Sequence, residues 1–231
     1  MKKGGLLMSI LVNHLSEPRR RIIGLIKNRG SSTISELAGS MDISGEAVRQ
    51  HLVQLEKEGW VTRFSENNGV GRPLWQYRLT TAGEHLFNKN YDQLTIEVFD
   101  TLTLLGEDVL KNLLSAMIEQ RIRQWEPKLT GLSTIEVLDV LKDFYKNDDS
   151  FMEIEKKDNS YSLIERNCPF HNVAMKRPIL CSVSVSVLTH LLGCSVKREK
   201  RLQNGDGCCA FRVLLDEPIT ENTSRIIIED E

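Results

Sequence analysis

Five cysteines are the residues of this 231-residue chain with the clearest capacity for chemistry. All of them lie in its last third, at positions 168, 181, 194, 208 and 209. An odd number of cysteines in a chain with no export signal favours metal or redox chemistry over a disulfide framework. No two of them have the C-x₂-C spacing of zinc fingers and ferredoxin loops. The spacing therefore favours a thiol site assembled from separate elements.

The predicted elements divide the cysteines into two groups. A helix expected over residues 178–192 would place Cys181 and Cys194 about 20 Å apart, at a rise of about 1.5 Å per residue. One cluster cannot span that distance, so Cys194 is expected to be a packing residue. Cys208 and Cys209 are neighbours on a predicted strand and must face opposite ways, with Cys209 on the apolar side and Cys208 towards solvent.

The inward-facing set is then Cys168, Cys181 and Cys209, which come from a loop, a helix start and a strand. Three thiolates in one pocket can bind an iron–sulfur cluster or zinc, or can respond to a thiol oxidant. Free cysteines are also often small buried hydrophobic residues. The residue spacing leaves these alternatives open.

An α+β domain is predicted to hold this set. Its elements are strands at 151–155 and 161–165, a helix begun by Pro178, and a hairpin formed by 195–202 and 208–215. We take residues 131–217 as a sensor domain and residues 218–231 as an acidic tail, which is expected to be loose.

A long helix is predicted between residues 91 and 125. Apolar residues recur at positions 94, 98, 102, 105, 109 and 113, and a second apolar face is formed by Leu104, Leu110, Leu114 and Ile118. Such wide coverage indicates burial on two sides. We interpret residues 91–130 as a linker and dimerisation helix, with a homodimer formed mainly through 92–118; packing within the monomer is the competing explanation.

Residues 16–90, after an N-terminal tail of 15 residues, follow the order helix, helix, helix, hairpin, helix. Thr33-Ile34-Ser35-Glu36 is a capping box, and Ser44 is positioned to cap the third helix, where Val48, Leu52 and Leu55 form one apolar stripe. A short second helix, a tight turn, a third helix and a hairpin are the layout of a winged helix-turn-helix DNA-binding domain.

The polar face of the third helix is predicted to enter the major groove, while the hairpin contacts the minor groove or the backbone. The candidate DNA-contacting residues are Ser44, Glu46, Arg49, Gln50, Lys57, Arg63, Arg72 and Arg78. A generic helical bundle with a solvated polar face is the alternative, because no single one of these residues is diagnostic.

The charge distribution agrees with a DNA-binding head. Residues 1–90 carry 13 Lys and Arg against 8 Asp and Glu, a net +5, whereas the other 141 residues carry 17 against 24, a net −7. A basic head joined to an acidic body indicates nucleic-acid binding in one part and a different task in the other.

Several other classes of function are disfavoured. The apolar run 4–12 has no small-residue cleavage site, so secretion is not expected, and nothing approaches the roughly 20 apolar residues of a membrane span. No Gly-rich phosphate loop, paired-carboxylate motif or nucleophile elbow indicates an enzyme. We expect a cytoplasmic protein that is not an enzyme and has no membrane partner.

The head resembles the ArsR/DeoR-type winged-helix repressors. The resemblance rests on the runs 47–52 (AVRQHL) and 55–61 (LEKEGWV), and on Gly71-Arg72-Pro73 with the following 77–80 (YRLT). It implies a reader of double-stranded DNA and covers about a third of the chain.

The last third is similar to the sensor domain of the SufR-type iron–sulfur-cluster-binding repressors. The matching segments are 167–170 (NCPF), 172–174 (NVA), 180–181 (LC), 191–193 (LLG) and 207–211 (GCCAF). The resemblance implies a homodimer that binds an inverted-repeat operator and represses cluster-assembly genes. It also implies an iron–sulfur cluster on Cys168, Cys181 and Cys209, with [4Fe–4S] favoured over [2Fe–2S]. His171, where an aromatic residue is expected, and the extra thiols of Cys194 and Cys208 depart from the pattern.

Overall fold

The structure is a computed structural model that describes residues 15–66, 74–147, 149–157, 160–220 and 223–229. The chain divides into two compact units, residues 1–90 and residues 91–231. In the described ranges, no helix combines the length and the apolar character that crossing a bilayer requires.

The first unit contains the predicted helices and hairpin. Its elements are α1 (Glu17–Arg29), β1 (Ser32–Thr33), α2 (Ile34–Met41), α3 (Gly45–Lys57), β2 (Val61–Glu66), β3 (Leu74–Leu79) and α4 (Thr81–Glu84). The strands form an antiparallel sheet in the order β1–β3–β2. The winged helix-turn-helix prediction is confirmed.

Side-chain caps define the starts of α2 and α3 and the short turn between the two helices. Thr33 Oγ1 accepts a hydrogen bond from the Glu36 amide at 3.2 Å, and the Glu36 carboxylate accepts one from the Thr33 amide at 2.8 Å. The Thr33 amide first, and then the Thr33 hydroxyl, which donates to the same carboxylate at 3.0 Å, hold the pKa of Glu36 below its usual value. Asp42 ends α2 at φ 57°, and Ser44 Oγ accepts from the Ala47 amide at 3.2 Å to begin α3. The chain therefore passes from α2 to α3 within three residues, and each helix begins at a capped end.

The second unit begins with helices and ends with a sheet. Its elements are α5 (Tyr91–Leu105), α6 (Glu107–Trp125), α7 (Thr134–Asn147), β4 (Met152–Lys157), β5 (Ser160–Glu165), α8 (His171–Ala174), α9 (Ser182–Leu192), β6 (Cys194–Lys200) and β7 (Cys209–Pro218). The antiparallel sheet has the order β4–β5–β7–β6, and α9 packs against both α6 and β6. Apolar residues from the helices and the sheet share one core, in which Leu114, Leu141, Leu188 and Phe211 are fully buried.

The single long helix predicted for residues 91–125 is wrong. Gly106 separates α5 from α6 with φ 132° and ψ 145°, a conformation that side-chain-bearing residues rarely adopt. The apolar pattern continues on both sides of Gly106, because Phe99 and Leu110 enter the same core. Periodicity therefore did not reveal the break.

The helix predicted to begin at Pro178 also differs. Residues Pro178–Cys181 form a 3₁₀ turn, and the α-helix begins at Ser182. The predicted turn at Asp158 and Asn159 lies outside the described residues.

The expectation of a loose tail is wrong for residues 223–229. Ile226 and Ile227 pack against the core of the second unit, and the Ile227 amide donates to Ser186 Oγ at 2.9 Å. The Glu229 carboxylate pairs with the Arg198 guanidinium at 3.0 Å, and the side chain of Arg198 is 3% exposed. A buried arginine needs a carboxylate partner, and the tail supplies it.

Candidate functional site: an exposed recognition helix and a three-cysteine pocket

Helix α3 buries one face and exposes the other. Val48, Leu52 and Leu55 are at most 1% exposed, as their spacing predicted. The exposed surface carries the predicted candidates Ser44, Glu46, Arg49, Gln50 and Lys57. Within this group the Ser44 hydroxyl caps the helix, and Arg49 Nε lies 3.4 Å from the Glu46 carboxylate. Apart from Val53, which is 53% exposed, the face is polar and can offer hydrogen bonds to a groove.

The hairpin carries its arginines on two faces. Arg63 is paired in register with Tyr77, whereas Arg78 is paired with Thr62, so the two arginines point to opposite sides of the sheet. The Arg63 guanidinium lies 5.1 Å from the Trp75 ring centroid, and that of Arg78 lies 5.0 Å from the Phe64 ring centroid.

Stacking on these rings limits the motion of both cations. Arg72, the predicted wing-tip residue, lies outside the described residues.

Three cysteines from separate elements line one pocket of the second unit. Cys168 lies in the loop between β5 and α8, Cys181 ends the 3₁₀ turn before α9, and Cys209 is the first residue of β7. All five cysteines are free thiols. Cys194, at the start of β6, is buried and does not line the pocket.

The predicted exposure of Cys208 is wrong. Its residue is 7% exposed, and it lies in a bend before β7 rather than on the strand. Strand alternation therefore does not apply to it. Cys208 is not among the residues that line the three-cysteine pocket.

Polar groups surround the three thiols. Gln203 Nε2 donates to Cys181 Sγ at 3.0 Å, and Arg198 donates to the Cys181 carbonyl at 2.9 Å. Burial raises the pKa of Cys168 to about 11, and burial is also the main cause that raises the pKa of Cys209. Both thiols are therefore protonated at neutral pH in this arrangement, and binding a cation would deprotonate them.

Two polar atoms of the pocket wall are buried without a hydrogen-bond partner within the described part of the chain. They are Ser150 Oγ and Gln203 Oε1. A buried polar atom without a partner costs about 1–3 kcal/mol, so each is a place where a bound group or a water molecule would be stabilised.

Sequence reasoning missed Glu165. This residue is 6% exposed, lines the same pocket and lies directly opposite Cys209 in the β5–β7 register. A glutamate at the end of a strand is ordinarily assigned to solvent, and nothing local marks it as buried. Arg198 and Gln203 were missed for the same reason, because their place in the pocket depends on the fold.

The pocket brings together side chains whose chemistry can be compared with the needs of an iron–sulfur cluster. Three thiols and a buried carboxylate are suitable donors for such a group. Over the described ranges, no three His, Cys, Asp or Glu side chains are grouped closely enough to hold a single metal ion. The cavity between the thiols is about 30 Å³, enough for a water molecule or two. The donor set therefore fits a cluster, and loading requires the walls of the pocket to move apart.

Two separate segments of the chain are similar to known protein families. Residues 15–68 match the MarR family, and residues 133–214 match methanogen output domain 1. Residues 15–68 are therefore similar to the winged-helix domains of MarR-family transcription regulators; the matched family is MarR rather than ArsR or DeoR. No curated protein sequence matches the chain.

Several solved structures of regulators match the chain at low similarity. The oxidised form of MarR from E. coli is 19% identical over 48% of this chain and 77% of its own, with a TM-score of 0.30. A cysteine-to-serine mutant of ZitR from Lactococcus lactis is 19% identical over 48% and 76%, with a TM-score of 0.28. PadR from Bacillus subtilis, in complex with operator DNA, is 13% identical over 75% and 98%, with a TM-score of 0.27.

Proposed function

We propose that the protein is a DNA-binding transcription regulator whose second unit binds an iron–sulfur cluster on Cys168, Cys181 and Cys209. The observation that carries the proposal is the convergence of these three thiols, from three separate elements, on one pocket of a chain that begins with a winged-helix domain. By resemblance it is a repressor of cluster-assembly genes that acts in the cytoplasm, without enzymatic activity and without a membrane partner.

The residues that would hold the cluster also belong to the strands and turns of the second unit. Cys168, Cys181 and Cys209 supply thiolates, and Glu165 is a buried oxygen donor beside Cys209. A [4Fe–4S] cluster is favoured over a [2Fe–2S] cluster. When bound, it supplies a group that is lost when clusters are scarce or when the cluster is oxidised. Buried Arg198 contacts the Cys181 backbone and lines the pocket, so it offsets part of the negative charge of the thiolates.

Movement at the pocket has a mechanical connection to α6. Cys181 directly precedes α9, which packs on α6. Leu114 and Ile118 of α6 share the core with Val185 and Leu188 of α9. Opening the pocket to admit a cluster would displace the start of α9 and bias the position of α6.

Anaerobic purification tests the proposed cofactor. A brown protein with visible sulfide-to-iron absorption and matching iron and sulfide contents supports the cluster. Colourless, zinc-loaded protein supports the alternative of a zinc or thiol-oxidant sensor acting through the same pocket. Metal-free protein shows that the three cysteines are core residues.

DNA binding is expected to depend on α3 and the wing in different ways. Gln50 is exposed on α3 and can reach base edges, so Gln50→Ala should reduce discrimination between operator variants. Arg72→Ala should weaken binding to all sequences and lower the log–log salt slope by about one unit. Fluorescence anisotropy titrations at several salt concentrations measure both effects, with Arg123→Gln in the second unit as the control. An Arg72→Ala protein that binds like wild type would refute the wing assignment.

Helix α5 presents an apolar stripe to solvent. Leu94, Val98 and Leu105 are 60%, 45% and 68% exposed, and their spacing places them on one face. Val109 of α6 is 39% exposed. We propose that a second copy of the chain covers this stripe, which would produce a two-fold-symmetric reader of an inverted repeat with half-sites about one helical turn apart.

Val98→Glu should disrupt this homodimer. The substitution places a carboxylate in the middle of the stripe, and glutamate is a better helix former than valine. The monomer should therefore fold, and the dimer should dissociate about 100-fold more readily. Sedimentation velocity at micromolar concentration measures the change. Ile135→Glu, at a 59% exposed position of α7, is the matched control and should remain dimeric. A monomeric wild-type protein would contradict the proposal.

A further inference from the structure

A second pocket lies beside the three-cysteine pocket, within the second unit. Its apolar walls come from α5, α6 and the segment 169–183, and they consist of Phe99, Met117, Pro169, Phe170, Val173, Leu180 and Val183. The cavity volume is about 220 Å³. An engineered apolar cavity of about 150 Å³ binds benzene, so this pocket has room for a molecule of one or two rings.

Arg121 supplies the positive charge of this pocket. Its guanidinium lies 5.3 Å from the Trp125 ring centroid and 6.0 Å from the Phe170 ring centroid. Two neighbouring cations of α6 have carboxylate partners, Lys111 with Glu107 and Arg123 with Glu119. Among the salt bridges of the described ranges, none involves Arg121. A guanidinium that is stacked but not paired with a carboxylate is suited to receive an anionic group.

The remaining polar groups of the lining are partly engaged. Asp92 accepts a hydrogen bond from Asn172 at 2.6 Å, and the Thr95 hydroxyl donates to the Tyr91 carbonyl at 2.8 Å. Phe170, which forms part of the wall, is 46% exposed, although large aromatic side chains are usually covered. An occupant with an apolar body would cover this ring.

We propose that this pocket binds a small amphipathic anion: an apolar body of one or two rings that bears one acidic group, with the acidic group against Arg121 and the rings between Phe99 and Phe170. The proposal goes beyond the proposed function and does not depend on a cluster. The pocket joins apolar walls to a convergent cation, which is the usual construction of a small-molecule site.

The position of the pocket makes such a ligand a second input. Arg121, Pro169, Phe170 and Ser184 line both this pocket and the three-cysteine pocket. Pro169 directly follows Cys168, and Leu180 directly precedes Cys181. An occupant would therefore contact both segments that carry the more exposed thiols, and would slow their reaction with a thiol-alkylating maleimide.

The test compares two naphthalene probes by titration calorimetry on the full-length protein. 2-Naphthalenesulfonate should bind one site per chain, at least about tenfold more tightly than uncharged 2-naphthalenemethanol. Arg121→Gln should remove this preference while leaving the binding of the uncharged probe unchanged. Arg123→Gln, on the same helix, should leave both affinities unchanged.

Thr95→Trp gives a second, steric test. Thr95 is half-buried on the pocket wall, and an indole there should fill the cavity and abolish the binding of both probes. Circular dichroism and the melting temperature establish that each variant folds. The inference is overturned if the wild type shows no saturable binding below about 1 mM, if Thr95→Trp binds as wild type does, or if Arg121→Gln weakens both probes equally.

Discussion

Cys209→Ala is expected to give a folded protein without iron or sulfide that binds its operator about 5- to 150-fold more weakly than cluster-loaded wild type. Only a thiolate is a suitable ligand at this position, and Cys168→Ser and Cys181→Ser should have the same effect. The range corresponds to a coupling of about 1–3 kcal/mol between the cluster and DNA. Iron and sulfide analysis and absorption spectra measure the loss of the cluster. An anaerobic operator titration measures the affinity for DNA.

The matched controls are Cys194→Ala and Cys208→Ala. Both residues are buried, at 4% and 7% exposure, and neither lines the three-cysteine pocket. Alanine is preferred to serine at these two positions, because a buried hydroxyl without a partner would destabilise the protein for an unrelated reason. Both variants should keep the cluster and most of the DNA affinity.

Two results would contradict this assignment. Equal operator affinity of the apo and cluster-loaded wild type would show that the cysteine pocket does not control DNA binding. Loss of the cluster in Cys208→Ala, with retention in Cys209→Ala, would show that the ligand belongs to the bend before β7. In either case the location of the pocket would need another explanation.

Gly83→Ala is expected to destabilise the winged-helix unit by about 3 kcal/mol or more. A Cβ atom at this position of α4 would lie 2.1 Å from the Trp60 carbonyl oxygen and 3.3 Å from the Leu79 Cβ. The carbonyl belongs to the backbone and accepts a hydrogen bond from the Thr80 amide at 3.1 Å, so it cannot move alone. Relief of the overlap must displace the start of β2 or the whole of α4.

Gly39→Ala is the control for this substitution. Apart from the adjacent residues and the backbone of α2 itself, no heavy atom lies within 4 Å of the position that a Cβ atom would take. Alanine is favoured over glycine inside a helix by up to about 1 kcal/mol. Urea unfolding followed by circular dichroism should place Gly39→Ala at or above wild type and Gly83→Ala far below it. Equal midpoints for the two variants would show that a Cβ atom fits between α4 and Trp60.

The sequence by itself determined the elements that depend on near neighbours. The capping box at Thr33, the cap at Ser44 and the apolar stripe of α3 are local patterns, and each is present in the structure. Strand alternation also placed Cys209 on the same side as Phe211, which is fully buried. These features follow from hydrogen bonds and side-chain directions within a few residues, so they can be derived without knowledge of the fold.

Tertiary structure decided everything that depends on distant segments. The pocket of Cys168, Cys181 and Cys209 includes Glu165 and Arg198 only because β5, β6 and β7 pair in a particular order. The break at Gly106 was hidden because both flanking helices enter one core. Residues 223–229 lie against the second unit, where the Glu229 carboxylate pairs with buried Arg198. The need for this carboxylate appears only when the chain has folded around Arg198.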